Sequence, residues 1–520
     1  MEEITNFNKP PQSYWIASAP QKSYPVLDHD IQVDVAIVGG GFTGIATAYM
    51  LRKEGLRVAI LEADRILSGT TGHTTAKITS QHGLVYDKLD HMLGSELARQ
   101  YADANETAIR TINKIIQENQ ISCDFEPQSS YVFTCQDAYI EKIGKEVMAA
   151  SSLGIEAAYV ENLPLQIPIK AAARFDNQAQ FHPLKFLLPI AEIITKQGCQ
   201  IYEQSRITRL EKGRSYILHT DTGRKVTAQK VVLASHYPFY NKTGLYFSRL
   251  WTERSYALSV KIKEPYAGGM YITAEEPTRS LRSVKNCDND TWVIVGGEHH
   301  KTGLGGDTAE HYRTLLNYSR ELFTVEPTGY RWSAQDCMTP DSIPYIGQMT
   351  SHTQNLYIAT GFGKWGMTNS IAASFLLKDL IIDGKSQWQD VYSPSRLTAF
   401  SSAKNFLIQN CSVAKELLNG KLSPAPEETS LLPGEGKIIK LDGKKAGVYR
   451  DESGSLHVVN TTCTHLGCEL IWNSAEKSWD CPCHGSRFSY DGKILEGPAV
   501  KPLDMRLDVN TLERILKEKF

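Results

Sequence analysis

Two short boxes near the C-terminal end constrain this chain more than any other stretch. The first reads Cys463-Thr464-His465-Leu466-Gly467-Cys468 and the second Cys481-Pro482-Cys483-His484-Gly485-Ser486. Each offers one cysteine and one histidine, spaced Cys-x-His and Cys-x-x-His, with fifteen residues between His465 and Cys481. Two thiolates and two imidazoles on two loops can close over one metal centre, so the domain that carries them must bring both loops to one end. A further cysteine remains in each box, Cys468 and Cys483.

Zinc accepts mixed cysteine and histidine sets, but its first pair usually stands about two to four residues apart, and zinc would leave Cys468 and Cys483 without a task. A [2Fe-2S] cluster with two cysteines on one iron and two histidines on the other uses four ligands as they stand. With Gly485-Ser486 and Gly497-Pro498 in addition, the segment resembles the Rieske proteins, in the form found in cytochrome bc complexes. The resemblance implies that Cys463 and Cys481 bind one iron, that His465 and His484 bind the other, and that Cys468 and Cys483 form a disulfide. It further implies that Ser486 donates a hydrogen bond to a cluster sulfide. The family's second donor, a tyrosine two residues later, is Phe488 here.

Upstream, Val33-Asp34-Val35-Ala36-Ile37-Val38 is an apolar run short enough for a buried parallel strand. Gly39-Gly40-Gly41-Phe42-Thr43-Gly44 follows, then a helical pattern from Ile45 to Glu54, Gly55 as a stop, and Val58 to Glu62 as a second strand. In that βαβ context Gly39 permits the tight turn, Gly41 lets the backbone approach a pyrophosphate, and Gly44 lets helix and strand pack closely. Glu62 is placed to accept ribose hydroxyls, and the helix N-terminus faces the phosphates.

The small polar loop after Glu62, Ser68-Gly69-Thr70-Thr71-Gly72-His73-Thr74-Thr75-Ala76, resembles the flavin loop of the D-amino-acid oxidase superfamily, which includes glycine and sarcosine oxidases. FAD is therefore the expected dinucleotide, held by Gly69, Thr70, Thr71 and His73 as well as the glycine turn. Sarcosine and dimethylglycine dehydrogenases carry a Ser-Gly-Thr-Thr-x-His-like loop whose histidine bonds covalently to flavin. His73 falls at that place, but Gly72 replaces the usual tryptophan and the loop diverges after Thr74, so covalent and non-covalent FAD both stay open.

Between the two cofactor regions the pattern alternates. Helices are expected over Leu97 to Gln117 and from Pro183 to Ile194, with His182 as a helix-start residue, and strands at Tyr131-Val132-Phe133, Lys230 to Ser235, Tyr256 to Val260 and Trp292 to Val295. Family likeness puts Ile207 on the adenine side of FAD. Where relatives have Ala-Thr-Gly, this chain has Ala234-Ser235-His236, which brings His236 near the flavin. Glu298-His299-His300 and His311 are read as loop histidines rather than a second metal site. Thr339-Pro340-Asp341 through Gly361-Phe362-Gly363-Lys364-Trp365-Gly366-Met367 resembles the closing flavin motif of the superfamily, with a helix from about Thr368 to Ile382 whose positive end faces the ring.

The expected architecture is mixed, α+β with α/β: a lead over 1–30, a Rossmann-like FAD-binding domain with an interleaved β-sheet substrate domain over 31–410, a linker over 411–432, and a small all-β Rieske domain over 433–520. Ser423-Pro424-Ala425-Pro426-Glu427-Glu428 marks the linker. The net charge of −2 offers no hint of a nucleic-acid partner. Met1 to Thr5 lacks a basic start followed by an apolar run, and no stretch approaches the roughly 20 apolar residues of a membrane span, so no transmembrane segment and a cytoplasmic location are expected. A disulfide there is unusual, so Cys468 and Cys483 must be shielded beside the cluster.

The resemblance implies an FAD-dependent oxidoreductase acting on CH-N groups: an amine or amino acid reduces the flavin, and electrons pass singly to the cluster and then to a one-electron acceptor, a protein or a quinone. Two other readings remain, an electron-transfer or reductase module fed through the Rieske cluster, and an oxygen-using oxidase with a structural or regulatory cluster. Candidates for substrate chemistry are His236, Tyr256, Arg282 and Lys364, with Arg254 in the same region. Because Phe488 cannot donate a hydrogen bond to the cluster ligand, the reduction potential is expected below that of the cytochrome bc Rieske proteins. A redox titration matching theirs would contradict this.

Overall fold

The structure is a computed structural model. It describes residues 10–20, 22–165, 167–240, 242–285, 290–396, 410, 412–413, 415–417, 430–441 and 444–504. The Met1 to Thr5 start, the Ser423 to Glu428 linker and the Asp442-Gly443 turn lie outside the described residues.

The continuous apolar run at Val33 is covered on both faces, as a central parallel strand requires. Strand Ile31–Val38 pairs in parallel with Val58–Leu61 on one side and Lys225–Leu233 on the other. Leu356–Thr360 and Gln200–Tyr202 extend the parallel region, and antiparallel strands complete an eight-stranded sheet. Helices Phe42–Lys53 and Gly366–Ile382 pack against each other, with the Thr43 and Ser370 hydroxyls 2.9 Å apart. The first helix also closes on the turn that precedes it, where a Cβ on Gly44 would lie 2.0 Å from the Gly39 carbonyl oxygen.

A second sheet of nine strands stands beside the first. Its long antiparallel strands, Trp251–Ile262, Thr291–Lys301 and Val325–Met338, pair side by side. His299 and His300 therefore sit in a strand, and His311 in helix Thr308–Leu322, not in loops as expected. His182 caps helix Pro183–Lys196, accepting a hydrogen bond from the Lys185 amide at 3.3 Å.

The C-terminal unit is all β among the described residues: a three-stranded sheet beginning at Gly436 and a four-stranded sheet of Ile471–Asn473, Ser478–Asp480, Arg487–Ser489 and Ile494–Glu496. It is seated through polar contacts on helix Thr308–Leu322, which packs on the long antiparallel strands. Thr308 Oγ1 donates to Asn473 Oδ1 at 2.7 Å, Ser474 Oγ donates to Asp307 Oδ1 at 2.8 Å, and Tyr312 OH donates to Glu476 Oε1 at 2.8 Å. Among the described residues, no helix is long and apolar enough to cross a membrane.

Arg487 organises the buried charges of this unit. Its Nε meets Asp480 Oδ1 and its Nη1 meets Glu496 Oε1, each at 3.0 Å, and Nη2 donates to Ser478 Oγ at 3.0 Å. Removing one partner of such a buried set strands the others, at a cost of about 3–5 kcal/mol. Arg487→Leu is expected to lower the temperature at which the C-terminal unit unfolds, checked by hydrogen exchange or by loss of cluster absorbance on heating.

Candidate functional site

The glycine turn opens onto a cavity of about 870 Å³. Gly39, Gly41, Glu62, Gly69, Thr70, Thr71 and His73 line it, with Ile207, Gly363, Lys364, Gly366 and Met367 along the remaining wall. Gly44 and Gly361 stand behind the lining and act through the backbone. Gly44 lets the helix close on Gly39, and Gly361 has φ +74° with a would-be Cβ 2.4 Å from Thr339 Cγ2.

Glu62 accepts the Gly40 amide at 2.7 Å on Oε2 and the Asp64 amide at 2.9 Å on Oε1, which positions a carboxylate with lone pairs to spare at the end of its strand. The loop after it is clamped by its own backbone. Trp15 Nε1 donates to the Thr74 carbonyl at 2.6 Å, Trp332 Nε1 donates to the His73 carbonyl at 2.8 Å, and His73 Nδ1 lies 2.8 Å from the Gly69 carbonyl oxygen. The first turn of helix Gly366–Ile382 borders the same cavity, so its unpaired amides give that wall a positive end.

The sheet side carries the candidate substrate groups. Tyr256 lines the cavity, its hydroxyl 3.0 Å from His300 Nε2. His300 Nδ1 donates to the Lys301 carbonyl at 2.8 Å, which leaves Nε2 as the acceptor and Tyr256 as the donor. His311 Nδ1 lies 2.9 Å from Glu298 Oε2 and its Nε2 lies 2.9 Å from the Gly305 carbonyl oxygen, so the ring nitrogens of both histidines are engaged by protein. Lys364 borders the cavity and pairs with Glu253 Oε2 at 3.3 Å. His236, at φ +63°, also lines it.

Arg282 is placed differently from the expectation. Its Nη1 donates to the carbonyls of Ala76 at 2.6 Å and Phe181 at 3.1 Å, and its Nε donates to Ser283 O at 2.9 Å. A buried guanidinium must satisfy its donors, and these carbonyls hold it behind the flavin-side loop and away from the cavity lining. Arg254, by contrast, lines the cavity and reaches toward Glu496 of the C-terminal unit, Nη2 to Oε1 being 3.5 Å.

The two boxes converge at the edge of the C-terminal unit. Cys468 and Cys483 are joined as a disulfide, and Cys463 and Cys481 are free and buried. The rings of His465 and His484 lie 5.1 Å apart between centroids. Three sulfurs, those of Cys468, Cys481 and Cys483, also cluster, but two of them share the disulfide and do not form a ligand set. Hydrogen bonding from Cys481, with help from Ser486, pulls the Cys463 thiol down to about 7. Phe488 is fully buried in the apolar cluster that holds these cysteines.

These residues fit the two groups. His484 Nδ1 is buried without a hydrogen-bond partner among the described residues, beside two free thiols, which is the donor set of a mixed cysteine and histidine cluster. The cavity joins the glycine turn, Glu62 and a helix N-terminus, as a dinucleotide requires.

A family model described as FAD dependent oxidoreductase matches residues 34–380. The chain belongs to that family. The Rieske [2Fe-2S] domain matches residues 422–512. The Rieske-named protein YhfW of Bacillus subtilis (strain 168) is 42% identical over 495 residues, covering 95% of this chain and 97% of its own length. The gamma-glutamylputrescine oxidoreductase of Escherichia coli (strain K12) is 24% identical over 387 residues, covering 71% of this chain and 88% of its own. In fold, the glycine oxidase of Geobacillus kaustophilus matches with a TM-score of 0.59 at 17% identity, covering 71% of this chain and 100% of that one. The protein is thus an FAD-dependent oxidoreductase fused to a Rieske domain, and its cofactors are FAD and a [2Fe-2S] cluster.

Sequence reasoning passed over Gln335, Asp336 and Glu496. Asp336 had a weak signal, a carboxylate three positions ahead of Thr339-Pro340 at the entry to the closing flavin motif. The other two had none: Gln335 reaches the cavity through the pairing of its strand with Trp251–Ile262, and Glu496 through the seating of the Rieske unit. Asp336 lines the cavity, and burial pushes its carboxyl up to about 7. The folded state therefore keeps a proton that the unfolded state, with an ordinary value of about 4, has already lost. Stability contributed at this position falls as pH rises from about 4 to about 7 and is level above. Asp336→Asn is expected to flatten that slope, measured as the thermal midpoint of the apoprotein across this range.

Proposed function

We propose that the enzyme is a dehydrogenase that oxidises an amine or amino acid at a C-N bond and sends the electrons from FAD to the Rieske cluster, and from there to a one-electron acceptor. One observation carries this reading: Leu495, Glu496, Gly497, Pro498, Ala499 and Val500 of the Rieske unit line the same cavity as the glycine turn. A cluster domain that forms a wall of the flavin site is built to exchange electrons with it. FAD, when bound, accepts a hydride equivalent and can release electrons one at a time to an iron-sulfur centre.

In this reading Cys463, Cys481, His465 and His484 ligate the cluster. Gly39, Gly41 and the Gly69 to His73 loop hold the FAD phosphates and ring, Glu62 takes the ribose, and Ile207 packs on the adenine side. Tyr256, whose phenol is kept neutral by burial and donates to His300, orients the substrate without moving its own proton. Arg254 is the buried cation on the covering sheet best suited to a substrate carboxylate. Lys364, paired with Glu253, sets the charge beside the ring. The reaction is assigned to the cytoplasm, and cell fractionation with an antibody tests that placement.

Anaerobic addition of amines and amino acids in turn is expected to bleach the flavin with one class of substrate and then to produce the reduced-cluster EPR signal. Bleaching by none of them would overturn the substrate class. Peroxide formed in step with substrate turnover, unchanged in Cys463→Ser, would replace the dehydrogenase by an oxidase.

A further inference from the structure

Gln335 lies where the flavin cavity, the covering sheet and the Rieske boxes meet. It is 1% exposed and sits in the long strand Val325–Met338, opposite Arg254 of the neighbouring strand. Its backbone carbonyl accepts the Thr70 hydroxyl of the flavin-side loop at 3.2 Å. Its side-chain Oε1 accepts Thr302 Oγ1 at 3.0 Å, which fixes the amide orientation, and Nε2 donates to the Gly485 carbonyl at 3.0 Å. Gly485 is bonded covalently to His484 and donates its own N–H to the Cys481 carbonyl at 3.0 Å.

The contact is held in place by its surroundings. A Cβ on Gly485 would lie 2.3 Å from Thr252 Oγ1, and a Cβ on Gly303 would lie 3.0 Å from the Pro482 backbone, so this box is pressed onto the flavin domain at both points. The Phe247 ring stands edge-on to His484, 5.9 Å between centroids. The two histidines differ accordingly. His484 is buried against the flavin domain, whereas His465 is half-buried between the exposed Thr464 and Leu466.

We infer that Gln335 is the positioning residue that couples flavin to cluster, joining the Thr70 loop to the Gly485-His484 peptide across a fixed interface, so that electrons enter the cluster on its His484 side without movement of the Rieske domain. This rests on the internal transfer proposed above and adds its route. One electron would leave reduced flavin and convert one ferric iron of the oxidised cluster to ferrous, and the only bond broken would be the flavin N–H that gives up its proton. The proton lost on flavin reoxidation leaves into the cavity. A second electron follows once an external one-electron acceptor, ferricyanide in the assay, has emptied the cluster.

The test uses the full-length holoprotein without oxygen or substrate, its flavin reduced by light with EDTA as donor, and follows the cluster by absorbance and EPR. In the natural protein, cluster reduction is expected to follow flavin reduction at a rate independent of protein concentration. In Gln335→Leu and in the shape-conserving Gln335→Glu, that rate is expected to fall severalfold, while the cluster's EPR spectrum and midpoint potential stay unchanged. Hydrogen exchange across 481–486 is expected to rise in both variants. A concentration-dependent rate in the natural protein would remove internal transfer and this route together. A concentration-independent rate left unaltered in both variants would remove the route alone, and a slowed rate accompanied by a changed EPR spectrum would assign Gln335 to cluster integrity instead of coupling.

Discussion

Close backbone approach at two glycines sets where both redox sites lie. At Gly44 the helix after the first strand closes on the Gly39 carbonyl, to a distance that leaves no room for a side chain. At Gly485 the second Rieske box presses on Thr252 of the covering sheet with the same economy of space, at φ +75°. The first approach shapes the dinucleotide turn. The second brings the box carrying Cys481 and His484 against the covering sheet.

Around the second approach the protein buries more charge than a stability argument alone would favour. Arg487 holds Asp480 and Glu496, and Arg254 reaches Glu496 from the other domain. Buried ion pairs contribute little net stability because desolvation offsets their attraction. Their geometric demand is the more useful property here. They tie the strand carrying Glu496 to the one leading into Cys481, and set both against the flavin domain, so the cluster and the cavity share one framework.

The parts of the site that were legible in sequence are those whose chemistry depends on neighbours along the chain. The glycine turn, Glu62, the Gly69 to His73 loop and the Gly363 to Met367 motif all line the cavity, and Cys468 pairs with Cys483. What misled was local texture. Gly296-Gly297 and Gly303 to Gly306 bracket His299 and His300 and suggest a loop, yet pairing with Trp251–Ile262 carries the strand through to Lys301. Arg282 looked like a substrate residue by position on the sheet, but its nearest unsatisfied acceptors are carbonyls behind the flavin loop.

By itself the sequence determined two cofactor-binding patterns, a βαβ turn that admits a dinucleotide and two boxes with the cysteines and histidines of the Rieske pattern, because each is a short-range arrangement of residue types. Only the tertiary structure decided how the two face each other. Gln335, Glu496 and Arg254 are separated by tens to hundreds of positions in the chain and carry no shared motif. They meet because antiparallel pairing sets Arg254 opposite Gln335, and because docking of the Rieske unit brings Gly485 and Glu496 to that same edge. Side chains that satisfy one another across a domain interface leave no local pattern, since each is chosen by a partner that the chain reaches only after folding.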